Sequence, residues 1–545
     1  MGSAKIEVDG PADASSPLAP FGERAFSVLW TATVIANIGT WMQSAAAGWL
    51  MTSLDPAPFA VSLVQVASSL PMFLFALPAG ALADIVDRRR LLIIIQVTVT
   101  ILVAVFGLMV HLTWVTPTML LTFTFLAAAA AASITPAWQA IVPQLVPRRD
   151  LPPAVALNSI GLNVSRAVGP ALAGIMISAW GIAAPFWVNA LSAIVVIAAL
   201  IWWHPRQDGA GSRLPAERFY RAIAAGLRHA RHNPHLRATL IRASGFFLFA
   251  SAYWALLPLL ARDQVAGGPE IYGVLLGAIG AGAVAGAFGL PWLAHRLGPD
   301  RLVALGTVGT VIALLLFAVA RSWAVALAGS LIAGMSWIMV LATINVSAQV
   351  ALPGWVRGRG LSIFGMVMFG CLTIGSAVWG KVATFGGLPT AHILAGFGAL
   401  IAVPLLWRWK LQTGAALDLT PSLHWPAPVL AGDVEADRGP VLVTVDYQIR
   451  PADRGPFLEA LERLGSERRR DGAFEWEVFE DLSQEGRFLE TFKLDTWLEH
   501  LRQHARVTHA DRKQQERVHR FQREDKPKVT HLIAAADGNP PPTRA

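Results

Sequence analysis

Residues 59–90 read FAVSLVQVASSLPMFLFALPAGALADIVDRRR, an apolar stretch that ends in three consecutive arginines. A membrane-spanning helix needs about 20 mainly apolar residues, so this stretch is long enough to cross a bilayer. Similar stretches recur along the chain and predict about twelve spans. They lie at residues 24–53, 59–83, 91–112, 117–140, 152–180, 183–203, 237–261, 270–294, 302–320, 323–351, 359–383 and 388–409. The sequence therefore predicts an all-α polytopic membrane protein with twelve transmembrane helices in two six-helix halves.

The loops between these spans alternate in charge. One set is rich in arginine and the other carries little positive charge, which by the positive-inside rule places the arginine-rich set in the cytoplasm. An even number of spans then puts both termini on the cytoplasmic side. The basic set holds Arg88–Arg90, Arg148–Arg149, the stretch 206–237, Arg296, Arg301, Arg357 and Arg359, and the other set holds Arg262, Arg321 and Lys381.

Composition agrees with a membrane protein. Of 545 residues, 54% are hydrophobic and only 15% are charged. Because the net charge of +8 follows from basic loops and a basic tail, no nucleic-acid partner is needed to explain it. The single cysteine, Cys371, excludes an intramolecular disulfide. The first 23 residues lack an apolar core and do not resemble a cleaved signal peptide.

Changes in composition divide the chain further. The predicted parts are a disordered cytoplasmic N-terminus (1–23), a six-helix bundle (24–203), a central loop with an amphipathic helix at 214–231 (204–236), a second six-helix bundle (237–410), a linker (411–440), a charged domain (441–534) and a disordered tail (535–545). The charged domain contains strand-like patterns near 441–449, 474–479, 488–492 and 529–533. Helical patterns open at Pro456 and after Asp495, which is expected to cap the second helix. The order βαββαβ predicts a ferredoxin-like α+β domain in the cytoplasm.

The loop after the second span carries candidate gating residues. Gly80, Asp84, Arg88 and Arg89 resemble, with two positions changed, the Gly-x-x-x-Asp-Arg-x-Gly-Arg-Arg loop of the major facilitator superfamily. Arg296 and Arg301 occupy the corresponding loop of the second half. A carboxylate beside clustered guanidiniums can latch two helix bundles through charge pairing. The alternative is that these charges only set the topology.

The fifth span contains the most informative charge. Arg166 stands within an apolar segment, where an arginine is costly unless it faces a cavity or a partner. It is a candidate substrate contact, or a structural donor to carbonyl groups of a neighbouring helix. Asn163 lies one turn before it, and Gly169, Pro170 and Gly174 are expected to allow close helix packing and a bend.

Other polar residues inside the spans are weaker candidates. Asn37, Gln43 and Asn345 either line a central cavity or bridge neighbouring helices. No Asp or Glu lies well inside a predicted span, so the residues do not identify a proton carrier. The sequence also has no Gly-x-x-x-x-Gly-Lys-Ser/Thr loop, which argues against direct use of ATP.

Three further stretches, at 39–43, 136–148 and 355–360, resemble the bacterial transmembrane secretion effector family, which is similar to the enterobactin exporter. The resemblance covers roughly residues 20–410. It implies alternating-access efflux of a small molecule, such as a siderophore or drug, across the inner membrane of a bacterium. The charged domain resembles the antibiotic biosynthesis monooxygenase fold. Two alternatives stay open: an importer of the same fold, and a membrane-tethered oxygenase.

Histidines in the charged domain raise the question of a metal. His500 and His504 are four residues apart on a predicted helix, and His509 follows. No carboxylate or cysteine at ligand spacing completes a set, so we expect solvated histidines, no metal site and no cofactor. The domain is then expected to be a dimerising or regulatory module rather than an enzyme.

The proposed latch can be tested by substitution of its carboxylate. Asp84→Asn should reduce transport while leaving the protein in the membrane, because an amide cannot pair with the arginines of this loop as a carboxylate does. Flux and membrane abundance measured in the same cells would check it, and normal flux would contradict the latch.

Overall fold

The computed structural model describes residues 16–85, 87–204, 219–412, 418–422, 424–425, 434–523 and 527–535. Residues 1–15 of the predicted disordered N-terminus, nearly all of the predicted tail and about half of the predicted linker therefore lie outside the described residues, whereas Ala19–Gly22 of the predicted disordered N-terminus form a short 3-10 helix. The chain forms two compact units. The first unit consists of the described parts of Met1–Leu214, Arg242–Thr343 and Gly365–Arg408, and the second of those of Pro215–Ile241, Ile344–Phe364 and Trp409–Ala545.

Long apolar helices build the first half of the chain, as the hydropathy pattern predicts. They are α1 (Arg24–Leu54), α2 (Pro58–Ile85), α3 (Arg88–His111), α4 (Pro117–Ala131), α5 (Ile134–Leu145), α6 (Leu151–Trp180) and α7 (Ala184–Trp202). The predicted span 117–140 is divided between α4 and α5. Pro136 in the first turn of α5 has no N–H to donate to the carbonyl of Ala132, so the helical hydrogen-bond pattern is interrupted there.

After the central helix α8 (Phe219–His232), the second half contains α9 (Pro234–Leu259), α10 (Pro269–Val319), α11 (Trp323–Val350) and α12 (Arg357–Leu405). Two of these helices are interrupted inside. Gly298 in α10 has φ +72° and Gly387 in α12 has φ +81°, a conformation that favours glycine, and each lies within two residues of a following proline. Both breaks fall where the sequence predicts loops between spans.

Membrane-length helices dominate the described residues. Nine of them are long and apolar enough to cross a bilayer, and α10 and α12 contain 51 and 49 residues. Because each is interrupted at its glycine, each supplies two segments of roughly 20–30 residues, and at 1.5 Å per residue each segment is about as long as a hydrocarbon core is thick, or longer. The 15-residue helix α4 is apolar but shorter.

The two halves of the first unit meet through small residues on α6 and α10. A methyl group on Gly174 would lie 2.6 Å from the carbonyl oxygen of Pro269 and 3.1 Å from the Cα of Gly273. A methyl group on Gly280 would collide with the Cα of Ala167. These helices therefore touch backbone to backbone, which is the packing that small residues permit inside membranes.

A four-stranded sheet forms the core of the C-terminal domain. Its strands are β1 (Val441–Gln448), β2 (Phe474–Glu480), β3 (Arg487–Leu494) and β4 (Lys528–Ile533), in the order β2-β3-β1-β4, with every neighbouring pair antiparallel. Alternate residues of β1 are buried, as its sequence predicts. The remaining helices are α13 (Arg454–Arg470), α14 (Trp497–Arg506) and α15 (His509–His519).

The structure changes several predicted boundaries. Thr496, rather than Asp495, caps α14, because its hydroxyl accepts a hydrogen bond from the Glu499 backbone N–H. Helix α13 begins two residues before Pro456. The separate helix α15 was not predicted, although Thr508 and Asp511 form a reciprocal capping box at its start. Helix α8 begins at Phe219, and the preceding part of the predicted amphipathic helix lies outside the described residues.

A buried carboxylate organises the interior of the C-terminal domain. Glu490 is fully buried, and its two oxygens accept hydrogen bonds of 2.9 Å from the Tyr447 hydroxyl and the Trp476 indole. The Arg468 guanidinium lies 3.5 Å away. A charge in the interior is tolerated only when it is paired and hydrogen-bonded, so these partners are needed for the domain to fold.

Tyr447→Phe should therefore destabilise the domain. The change leaves one oxygen of a buried carboxylate without its donor, at a cost of about 1.5–3 kcal/mol. Native-state hydrogen exchange of the β1 and β3 amides in the full chain would measure it. Phe479→Leu, on an exposed side chain of the same sheet, is the control and should alter protection little. Equal protection in both variants would contradict this role of the hydroxyl.

Candidate functional site

Arg166 lies half-buried on α6 in the first unit. Its guanidinium carbon is 5.1 Å from the centre of the Trp41 ring on α1, within the range of a cation–π contact. Helix α6 approaches α1 closely here, since a methyl group on Gly169 would lie 2.6 Å from the Trp41 Cβ. The arginine is thus held against an aromatic ring, and the next residue, Ala167, takes part in the α6–α10 contact.

Helices of the second half contribute an aromatic wall. On α9, Tyr253 and Trp254 have ring centres 5.7 Å apart, and the Trp254 ring lies 5.4 Å from that of Trp337 on α11. Tyr253 lies in the neighbourhood of Arg166. The arginine of one half is therefore near aromatic residues of the other.

Several polar atoms of this group are buried without a partner. Within the part of the chain that the structure describes, Arg166 Nε and Trp337 Nε1 have no hydrogen-bond acceptor, and Tyr253 Oη and Trp254 Nε1 lie beside each other without another partner. Buried donors without acceptors cost free energy, so their clustering is typical of a site that a ligand completes. A ligand with anionic oxygens and flat apolar surface would match one guanidinium and four aromatic side chains. We call Trp41, Arg166, Tyr253, Trp254 and Trp337 the arginine–aromatic site.

The structure separates the other predicted cavity residues. The Gln43 side chain is buried and accepts a hydrogen bond from Asn189 on α7, so it bridges two helices. Asn163 donates to the Ser159 carbonyl one turn earlier on α6. Asn345 lies in the second unit and accepts a hydrogen bond from Gln349. Asn37 is half-buried on α1, on the same helix as Trp41.

Contacts between the halves also form near the loops that carry few arginines. Trp49, at the end of α1, stacks on Tyr272, at the start of α10, with ring centres 5.8 Å apart. Near the same ends of α6 and α10, Ser178 donates a 2.7 Å hydrogen bond to Glu270. A 3.2 Å hydrogen bond joins the Phe59 N–H of α2 to the Thr384 hydroxyl of α12. These three contacts join helix ends of the two halves on this side.

The predicted gating residues are only partly described. The side chain of Asp84 and the surroundings of Gly80 lie outside the described part. Asp87 caps α3 by accepting a hydrogen bond from the Arg90 N–H. Arg89 donates 2.7 Å hydrogen bonds to the Leu200 and Ile201 carbonyls. These carbonyls end α7, so Arg89 holds the last helix of its own half by a charge-assisted C-cap.

In the second half, the end of α12 is held by Arg242, which the sequence pattern does not single out. Arg242 on α9 donates a 3.3 Å hydrogen bond to the Leu406 carbonyl after α12, and it lies 3.8 Å from the Asp300 carboxylate. Its guanidinium also lies 5.6 Å from the Trp407 ring. Of the predicted residues here, Arg296 lies over the Trp292 ring at 4.1 Å, and Arg301 is exposed.

The second unit joins α8 to the C-terminal domain. Arg228 on α8 lies 3.6 Å from Glu499 on α14, which also receives a 2.6 Å hydrogen bond from Arg506. The Arg506 guanidinium lies 4.2 Å from the Trp355 ring, in the segment between α11 and α12. His229 is buried against the same Trp355 ring, edge to face at 5.5 Å. The C-terminal domain is therefore packed on two segments that lead directly into apolar helices.

The expectation of solvated histidines on α14 is wrong. His500 is 1% exposed and His504 is half-buried, because α14 turns this face toward the sheet. His509 is on the separate helix α15. The helical spacing of His500 and His504 was visible in the sequence, but the side of the helix that the sheet covers was not.

Docking of α8 should depend on pH. Burial, aided by the positive charge of Arg470, lowers the pKa of His229 to about 3, with Asp511 and Arg506 also nearby. Burying a neutral histidine whose folded-state pKa is lowered is compatible with full stability above about pH 6.5. Stability is lost as the pH falls from there toward the folded-state pKa, because only the undocked form then gains a proton. Hydrogen exchange of the 226–232 amides, corrected for intrinsic rates, should be about tenfold faster at pH 5.5 than at pH 7.5.

His229→Gln should abolish this pH response, whereas His232→Gln, on the same helix, should retain it. An unchanged response in His229→Gln would show that another group controls docking.

Membrane-length helices in two halves, with a half-buried arginine and aromatic rings near their contact, are consistent with a membrane transport protein. The chain belongs to the transmembrane secretion effector family of the major facilitator superfamily, whose profile matches residues 15–539. The family and the relatives described next are transporters rather than enzymes.

Two relatives are similar to this chain over most of their own length. The staphyloferrin A transporter of Staphylococcus aureus is 24% identical over 387 residues, covering 68% of this chain and 94% of the relative. The enterobactin exporter EntS of Salmonella typhi is 24% identical over 391 residues, covering 70% of this chain and 91% of the relative. These alignments leave about three tenths of this chain without a counterpart.

Solved structures agree on the fold. A bacterial homologue of the human lysosomal transporter Spinster, inward-facing and unoccupied, matches with a TM-score of 0.56 at 14% identity, covering 71% of this chain and 97% of that chain. A POT family transporter in complex with a thioalcohol-conjugated peptide matches with a TM-score of 0.60 at 12% identity, covering 71% and 96%. At these identities the likeness shows the fold alone.

Proposed function

We propose that this transporter exports a siderophore-like organic anion across the inner membrane of a bacterium by alternating access. The observation that supports this most directly is the arginine–aromatic site, where an incompletely hydrogen-bonded guanidinium lies over the Trp41 ring and near an aromatic cluster of the other half. Siderophores combine anionic oxygen ligands with flat or amphipathic groups, which match such a site. The names of the two relatives, a staphyloferrin A transporter and an enterobactin exporter, point to the same class of cargo.

Arg166 is assigned to the pathway because a purely structural arginine would have its donors satisfied by protein. Among the described residues its Nε has no acceptor, and the Trp337 indole N–H likewise has none. A bound carboxylate or catecholate oxygen would supply these acceptors in a low-dielectric region, where a charge-assisted hydrogen bond is strong. Trp41, stacked with the guanidinium, would keep the arginine in place when the site is empty.

We propose that transport runs outward through twelve crossings, with both termini in the cytoplasm. Twelve crossings follow if α10 and α12 each cross twice, at their glycine breaks, and if α4 with α5 makes the remaining span. The arginine-rich loops and both termini then lie in the cytoplasm. If the contact of Trp49 with Tyr272 and the α6–α10 contact close the opposite side, the site would be loaded from the cytoplasm, which is the direction that an exporter requires.

The gate on the cytoplasmic side is assigned to the arginine-rich ends of the helices. Gly80, Asp84, Arg88 and Arg89 in one half and Arg296 and Arg301 in the other are its proposed members, with Arg242 and Asp300 added from the geometry. In the proposed cycle, rocking of the halves would make and break pairing between Asp84 and arginines across the halves, while Arg89 and Arg242 hold the helix ends of their own halves. The close packing at Gly174 would provide the fulcrum.

The C-terminal domain is proposed to be a ferredoxin-like regulatory module. The antiparallel order β2-β3-β1-β4 supports the fold, and the contacts from Glu499 and Arg506 to α8 and Trp355 support a regulatory role. Dimerisation through this domain stays a prediction. No contact in the described residues favours the oxygenase alternative over transport.

The decisive experiment compares metabolites in cells and medium under iron limitation. The strains would carry a deletion of the gene, the wild-type gene, Arg166→Ala or Arg166→Lys. Arg321→Ala, in the loop between α10 and α11, is the control because that side chain is exposed. A compound retained by the deletion strain should return to the medium with wild type and the control. Arg166→Ala should reduce its export about 10- to 100-fold at equal membrane abundance, as expected for the loss of a charged hydrogen bond.

Other outcomes would overturn the proposal in distinct ways. A compound that accumulates inside cells on overexpression would identify an importer. A compound that changes chemically without moving would identify the C-terminal domain as an enzyme. Full export by Arg166→Ala would remove the arginine from the pathway. Arg166→Lys separates charge from geometry, because lysine keeps the charge but lacks the planar donor set.

A further inference from the structure

We propose that His500, His504 and His531 bind a divalent transition-metal ion in the C-terminal domain. The three imidazoles come from two elements that are distant in sequence, and each offers a nitrogen within 4.8 Å of the others. Metal binding at these three histidines does not depend on the identity of the transported compound, and it can be measured without a transport assay.

The fold positions the three side chains together. His500 and His504 are one turn apart and share a face of α14. His531 lies on β4 opposite Val443 of β1, whose side chain is buried under the helices, so His531 points to the same covered face of the sheet. The ring of His500 is central, with centres 4.7 Å from the His504 ring and 4.8 Å from the His531 ring.

Burial without hydrogen bonds singles out His500. The residue is 1% exposed, and neither ring nitrogen has a partner among the residues that are described. A buried histidine normally donates from one nitrogen, because an unsatisfied polar group in the interior costs free energy. A metal ion bound by one of these nitrogens would supply a missing interaction.

The protonation state is the one that metal binding requires. Burial, together with the neighbouring histidines and Arg468, lowers the pKa of His500 to about 3. Burial, together with the neighbouring His531 and Arg468, lowers the pKa of His504 to about 4. Burial also lowers the pKa of His531. All three imidazoles are neutral at physiological pH and have lone pairs to donate.

The geometry and the ligand type restrict the metal. With Zn–N bonds of about 2.0–2.1 Å, tetrahedral ligand nitrogens lie about 3.3 Å apart, so rotation of the imidazoles must close the cluster by roughly 1.5 Å at most. Three imidazoles suit Zn²⁺, Co²⁺, Ni²⁺ or Cu²⁺ and disfavour Mg²⁺ and Ca²⁺, which need oxygen ligands. They also leave a coordination position open. The nearby Arg468 is paired with Glu490, so its charge is largely compensated.

Metal binding would reach the contacts with α8. Glu499 precedes His500 on α14 and lies 3.6 Å from Arg228. An ion that ties α14 to β4 would immobilise the helix that carries this carboxylate. The site is therefore placed where occupancy can stabilise the docked form of the second unit.

The test uses the full chain, purified in detergent with an affinity tag that contains no histidine. Co²⁺ serves as the probe, because a tetrahedral or five-coordinate site with nitrogen ligands gives visible d–d absorption. We expect one equivalent to bind, one equivalent of Zn²⁺ to displace it, and Mg²⁺ to have no effect. His504→Ala and His531→Ala should each weaken binding by at least about 100-fold, beyond what the loss of an outer-shell partner costs.

His509→Ala is the matched control, because this half-buried histidine lies on α15 outside the cluster, and it should bind normally. Circular dichroism and the melting temperature without metal report whether each variant is folded, and Zn²⁺ should raise the melting temperature of the wild type and of His509→Ala only. The wild-type titration decides even if a variant unfolds. Absence of d–d bands at millimolar Co²⁺, or binding that persists in folded His504→Ala and His531→Ala, would overturn the site.

Discussion

Backbone contact between α6 and α10 is the constraint on which the first unit depends. In lipid, helices gain little from burying apolar side chains against each other, so close packing of small residues has to hold the halves together. At Gly174 and Gly280 this packing leaves no space for a methyl group. Ala167, which meets Gly280, follows Arg166 directly. The residue that brings the halves together and the residue proposed to bind cargo are therefore neighbours on one helix, and a movement at the contact necessarily moves the charge.

A second regularity relates the two halves. In each, an arginine binds the carbonyl end of the last helix: Arg89 does so for α7 and Arg242 for α12. A tryptophan near the same helix end lies beside an arginine from the first helix of that half, with Arg24 near Trp202 and Arg242 near Trp407. Terminal carbonyls carry partial negative charge, so each arginine stabilises the helix end and ties the first part of its half to the last.

The sequence predicts the apolar helices because bilayer thickness imposes a length and a composition that few other structures share. It also predicts β1, whose alternating valines are buried. It fails where a role depends on the neighbour across space. Gln43 has the residue type of a cavity contact, but Asn189 on another helix occupies its amide. Arg242 looks like an ordinary basic residue at a helix start until Asp300 and the end of α12 lie beside it. His531 lacks any local signal, because its partners are about 30 residues away and are brought near by strand pairing.

The second unit combines the C-terminal domain with segments of the membrane-spanning part of the chain, so deletion of the domain also affects those segments. The C-terminal domain covers Trp355 and the buried His229, which belong to segments that the transporter half of the chain contributes. Removing the domain would expose an indole and an uncharged imidazole to water and would leave Arg228 without Glu499. Loss of transport in a truncated chain would therefore report damage to these segments and would not test the proposed regulatory role. Point changes at the docking contacts test that proposal without removing the domain.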